Sequence, residues 1–138
     1  MEKDIQYTHV VQYYETDQMK IVHHSNYIRW FEESRVYWME QLGIPCNELE
    51  EMGIIIPVTD VSCKYKSMVH FGETVTIIPV VTKCNGVVLE FSYEIRDQKT
   101  GELRVIGTSS HCFLGSDYKV MSIKKKFPKI YEIVKASM

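Results

Sequence analysis

The sequence predicts an α+β domain, in which one long helix is set against a large antiparallel sheet. Three features carry that prediction: a segment patterned at helical period, a later change to period two, and hairpin signals between the period-two runs. At 138 residues the chain reads as one domain spanning 1–138. That is long enough to bury a core without disulfide or metal staples.

The helix comes first. Tyr27, Phe31, Ser34, Trp38 and Leu42 recur at steps of four, three, four and four, which places them on one helical face. Arg29, Glu33 and Glu40 fall largely elsewhere and read as solvated charges. Ser25 or Asn26 is expected to cap the start and Gly43 to end the helix. Pro45 then suits the first turn of a short helix through 46–53. Upstream, "IQYTHVVQYY" at 5–14 reads as a strand entering an acidic stretch.

From Ile54 onward the period is two. Val87, Leu89, Phe91, Tyr93 and Ile95 alternate with mostly polar neighbours, the mark of a half-buried strand. Asn85-Gly86 before it signals a tight hairpin, and "DQKTG" at 97–101 signals the next. The segments 73–83, 87–97 and 102–115 therefore form a three-strand meander. An earlier strand lies within 54–67, and "PKIYEIVKAS" at 128–137 closes the domain as a short helix. A single sheet needs the helix to cover one face. A helix wrapped by a five- or six-stranded antiparallel sheet is the hotdog arrangement.

Composition narrows the function classes. The net charge of −2 gives no electrostatic case for nucleic acid or an anionic membrane as partner. No apolar run approaches membrane-spanning length, and the polar N-terminus is unlike a signal peptide. Cys46, Cys63, Cys84 and Cys112 form no CxxC pair, so reduced thiols in a cytoplasmic protein are expected. His9, His70 and His111 lack metal-ligand spacing, and Ser109 and Ser110 lack the GxSxG nucleophile pattern.

The densest chemistry lies in "YYETDQMKIVHHSNYIRWFEESR" at 13–35. It resembles the signature of hotdog-fold acyl-CoA thioesterases, especially the 4-hydroxybenzoyl-CoA thioesterase-like group. Asp17, Ile21, Val22, His24, Asn26, Tyr27, Trp30, Phe31, Glu32 and Arg35 stand where that pattern places its residues. The likeness covers nearly the whole chain. One departure is Lys20, where the family usually has glycine. Lysine would crowd the loop, and it would also be able to pair with Asp17.

The resemblance implies an acyl-CoA substrate, no cofactor and no metal. Asp17 would be nucleophile or general base. The backbone amide of His24, at the helix start, would polarise the carbonyl; its side chain would orient water or cap the helix. Tyr13, Asn26 and Tyr27 are expected around the substrate, with a core-filling role as the alternative for Tyr13. Lys83 is expected to meet the nucleotide phosphates of CoA, with a solvated strand end as the alternative. His23 reads as packing or surface.

Elementary chemistry supports the same arrangement. A thiolate leaves readily, with a pKa of roughly 8.5 for the cysteine analogue, so catalysis concentrates at the carbonyl. A helix start supplies free N–H groups and partial positive charge for a developing oxyanion. An acid seven residues upstream would attack or activate water. The alternatives are an acyl-ACP thioesterase and a non-catalytic acyl-thioester binding protein. Hydratases of the same fold use a histidine in signatures that are lacking around His24. A homodimer or homotetramer is expected, because one sheet and one helix leave a strand edge open.

Overall fold

Period two becomes a five-stranded antiparallel sheet in the computed structural model, which describes residues 5–138. Its strands are β1 (Tyr7–Val10), β2 (Val58–Tyr65), β3 (Thr74–Cys84), β4 (Val88–Asp97) and β5 (Leu103–Cys112), in the order β1-β3-β4-β5-β2. The helices are α1 (Ser25–Gln41), α2 (Cys46–Glu51), α3 (Ile123–Lys126) and α4 (Pro128–Ala136). β3, β4 and β5 form the expected meander. The Asn85 side chain accepts hydrogen bonds from the amides of Val87 and Val88, and Gly86 takes the positive φ of 93° that the turn demands.

The long helix lies across one face of the sheet, which is the hotdog arrangement. Tyr27, Phe31, Ser34 and Trp38 are buried as the spacing requires, and Asn26 and Trp30 join them. Leu89, Phe91, Tyr93 and Ile95 alternate inward along β4 to meet the helix. Phe31 stacks on Tyr93 with ring centroids 4.2 Å apart, and Trp38 meets Phe91 edge-on at 5.0 Å. Each such aromatic, fully buried, contributes about 1.5–3 kcal/mol relative to exposure.

Gly107 in mid-β5 lets the helix approach this closely. A Cβ there would fall 2.5 Å from the Phe31 ring and 2.7 Å from the Ser62 carbonyl oxygen on β2. The ring can shift, but the strand backbone cannot without breaking the β2–β5 ladder. We expect Gly107→Ala to destabilise the protein by about 3 kcal/mol, read as a lower denaturant midpoint. An unchanged midpoint would contradict this packing.

Three expectations fail locally. The first strand stops at Val10, and Tyr13–Glu15 is a turn of 3-10 helix. Neither Ser25 nor Asn26 caps α1: the N-cap is His24, and its side chain makes no capping hydrogen bond. Glu33 is not simply solvated, since it accepts a hydrogen bond of 3.0 Å from the Tyr7 hydroxyl and lies 3.6 Å from His9 Nδ1.

Candidate active site

The segment between β1 and α1 folds into a small hairpin. Thr16 bridges Val22, and the Asp17 amide donates to the Ile21 carbonyl at 2.9 Å. Ile21 bridges His70, and the Val22 amide donates to the Val69 carbonyl at 2.8 Å. The 67–73 segment is pinned in turn by Arg104. Its guanidinium donates to the Met68 carbonyl at 2.9 Å and pairs with Asp97 at 3.0 Å and Glu73 at 3.4 Å. Hydrogen bonds from the Thr100 amide and from Arg104 hold the Asp97 carboxyl below the usual carboxylate range.

Asp17 sits at the shoulder of this hairpin and is exposed. Its Oδ1 accepts the Met19 amide at 2.8 Å and the Ile21 amide at 3.4 Å, which orients the carboxylate. Oδ2 has no hydrogen-bond partner among the described residues. Asp17 is thus both a turn former and a carboxylate with one oxygen presented outward. Lys20 adopts a left-handed backbone, φ 63°, which is what glycine would supply at that position. The loop therefore keeps a glycine-type geometry despite the lysine. Among the described residues no ion pair joins Lys20 to Asp17.

A lysine in that region costs roughly 1–2 kcal/mol, offset in part by the greater freedom glycine has when unfolded. We expect Lys20→Gly to raise stability by about 0.5 kcal/mol and to leave turnover unchanged or higher. Loss of activity with retained stability would make Lys20 a working part of the site.

His24 lies three residues beyond Ile21, the partner of Asp17, a span of at most roughly 11 Å. Its backbone N–H has no acceptor among the described residues, whereas the amides beside it are engaged. The His23 amide donates to the Glu15 carbonyl at 2.9 Å, and the Ser25 amide to His23 Nδ1 at 3.3 Å. With no capping side chain among the described residues and no acidic residue in the first turn, the positive end of α1 is open at this donor. The His24 ring stacks on His23, centroids 4.2 Å apart.

The other expected residues divide. Tyr27 is 3% exposed and packs against Trp30 and Tyr65, so it belongs to the core face beneath the helix start. Burial pushes its hydroxyl above the ordinary tyrosine range. Asn26 is buried and donates from Nδ2 to the Glu15 carbonyl at 2.9 Å, tying the helix to the preceding turn. Tyr13 does not fill the core: it is 67% exposed and meets Phe71 edge-on at 5.5 Å. Lys83 is exposed at the far end of β3, paired with Glu90. It stands nine residues from Thr74, roughly 30 Å along the strand, from the end beside the Asp17 hairpin. One protomer does not bring Lys83 and Asp17 together.

Glu15 is a residue the sequence pattern does not flag. It is 4% exposed, yet its carboxylate receives the Gln12 amide at 2.8 Å, Trp30 Nε1 at 2.8 Å and His9 Nε2 at 2.8 Å. Burial alone would raise its pKa, but these donors together hold it below the ordinary glutamate value. Its carbonyl also receives the His23 amide and the Asn26 side chain. One residue thus joins β1, α1 and the base of the Asp17 hairpin.

Comparison with known proteins agrees with this architecture. Residues 11–134 match the family model described as the thioesterase-like superfamily. A Bacillus subtilis (strain 168) protein named as a candidate acyl-CoA thioesterase, YneP, is 37% identical over 119 residues, covering 86% of each chain. The crystal structure of DHNA-CoA thioesterase from Staphylococcus aureus superposes with a TM-score of 0.89 at 31% identity, covering 95% of this chain and 88% of that one. A hypothetical protein from Thermus thermophilus, TT1821, superposes with a TM-score of 0.90 at 27% identity, covering 98% and 100%. With the fold and the match across 11–134 in agreement, the chain belongs to the thioesterase-like superfamily.

Proposed function

We propose that the protein hydrolyses an acyl-CoA thioester to a free carboxylic acid and CoA. The observation that carries this reading is the open His24 amide at the uncapped start of α1, seven residues after a carboxylate with one unengaged oxygen. The His24 N–H would receive the carbonyl oxygen as negative charge develops on it, reinforced by the helix dipole. Asp17 would attack the carbonyl carbon, giving a mixed anhydride that water then hydrolyses, or take a proton from a water that attacks in its place. The thiolate of CoA then departs without a general acid. Tyr27 would support the acyl side of the site, and Tyr13 and Phe71 would form an exposed aromatic wall beside the hairpin.

The site is proposed to be completed in a homo-oligomer. β2 is an edge strand with seven of its eight residues exposed in the protomer, including Val58, Val61 and Tyr65. An open edge of that length favours pairing with a second copy. A partner is also the route by which a lysine such as Lys83 would reach CoA phosphates near Asp17.

Purified protein with a panel of acyl-CoAs and a thiol-reactive dye tests the proposal. Release of one thiol per acid formed is expected. Acyl-CoA binding without thiol release would favour an acyl-thioester binding protein. Release from acyl carrier protein conjugates alone would favour an acyl-ACP thioesterase.

A further inference from the structure

A cavity of about 50 Å³ lies between the second half of α1, the β4–β5 part of the sheet, α2 and α4. At 10–15 Å³ for each water-sized group, it holds about four. Its wall is apolar, with residues such as Trp38, Leu89, Phe91 and Ile130, except where Arg35 and His111 reach it. It shares Ile44, Leu49 and Ile130 with an apolar groove between α2 and α4 that reaches the surface. Trp30 and Phe31, both 0% exposed, fill the core between this cavity and the helix start.

Arg35 and His111 are the two ends of a hydrogen-bond chain through the core. Arg35 Nη1 donates to the Tyr93 hydroxyl at 2.9 Å. The Tyr93 hydroxyl lies 2.6 Å from Ser109 Oγ, which lies 2.8 Å from His111 Nε2. Arginine only donates, and the arrangement in which each hydroxyl both accepts and donates runs from Arg35 toward His111. Tyr93 passes its proton toward Ser109, and Ser109 donates to Nε2. The neutral imidazole must then carry its proton on Nδ1. His111 is 2% exposed and Nδ1 has no hydrogen-bond partner. Burial and then the Arg35 charge push its pKa down to about 4, so the ring is neutral at ordinary pH. The Pro57 carbonyl favours the protonated ring but does not complete a hydrogen bond. Arg35 has no carboxylate within ion-pair distance among the described residues.

Among the described residues, a part-buried guanidinium without a counter-charge and a buried N–H without a partner therefore border one apolar cavity. Buried polar groups are normally satisfied, and a cation in apolar surroundings calls for an anion. We propose that this cavity binds the carboxylate end of an apolar monocarboxylic acid. One oxygen accepts from Arg35 and the other from His111 Nδ1–H, and the hydrocarbon runs toward the α2–α4 groove. The product of the hydrolysis proposed above belongs to this chemical class. The inference rests on the cavity alone and holds whether or not the protein hydrolyses thioesters.

Nitrogen-15 NMR of histidine-labelled protein titrated with sodium hexanoate tests it. We expect a saturable shift of His111 Nδ1, with hexanol binding more weakly by about tenfold or more, since a charge-assisted contact is lost. Arg35→Met should weaken hexanoate by a similar factor. The comparison of hexanoate with hexanol on the unaltered protein decides the matter if that variant does not fold. Hexanoate that leaves His111 unmoved, or hexanol that binds as well as hexanoate, would overturn the proposal.

Discussion

Asp17→Asn is expected to lower the turnover of acyl-CoA by on the order of a hundredfold or more, as for loss of a positioned acid–base group. The amide keeps the size of the side chain and an oxygen to accept the Met19 and Ile21 amides, so the hairpin should persist. What disappears is the negative charge at the outward oxygen. Affinity for acyl-CoA should therefore change little while the rate collapses. Steady-state kinetics with a thermal melt on the same preparation separates the two effects. Near-native turnover would remove Asp17 from the mechanism.

Glu15→Gln is expected to act mainly on stability. The carboxylate accepts from three donors on separate segments, and an amide presents an NH2 to at least one of them. Leaving a buried donor unsatisfied costs about 1–3 kcal/mol, so a loss on the order of 3 kcal/mol, or roughly 10 °C in melting temperature, is expected. The pH dependence has a definite sign. The folded pKa of Glu15 is lowered, so its contribution is present above the ordinary glutamate range and fades as pH falls through the folded value. The variant should lack that part of the acid destabilisation. Denaturant midpoints measured from neutral to acid pH check this: parallel curves for the two proteins would contradict the assignment.

The long-range plan of the molecule was legible because it depends on periodicity. Tyr27, Phe31, Ser34 and Trp38 announce their common face, and Leu89, Phe91, Tyr93 and Ile95 announce that of β4. Val87, expected with them, lies in the turn before β4 and is exposed. Gly43 and the Asn85-Gly86 turn were legible because each requires a positive φ that few residues take. The failures are local and have local causes. Tyr13 looks like a strand aromatic, but a 3-10 turn from Tyr13 to Glu15 swings it outward while burying the acid two residues later. That inversion follows from Glu15 finding His9 and Trp30, which lie six and fifteen residues away and are visible only in three dimensions. Ser25 and Asn26 are good capping residues by type. Here His24 occupies the cap position, Ser25 bonds to His23, and Asn26 is drawn to the Glu15 carbonyl. Lys20 shows that a residue unsuited to a left-handed turn can still occupy one when the bridges from Thr16 to Val22 and Ile21 to His70 hold the loop. Arg35 belongs to the motif at 13–35, but its link through Tyr93 and Ser109 to His111 joins α1 to two strands and is visible only in three dimensions.

In the proposed mechanism one thioester carbonyl lies between Asp17 and the start of α1. A crystal structure of the protein with an acyl-CoA analogue bearing CH2 in place of the thioester sulfur tests it most directly. The carbonyl oxygen is expected about 3 Å from the His24 backbone nitrogen. An Asp17 carboxylate oxygen, or a water that it holds, is expected about 3–3.5 Å from the carbonyl carbon. A bound analogue whose carbonyl meets neither the His24 amide nor Asp17 would contradict it.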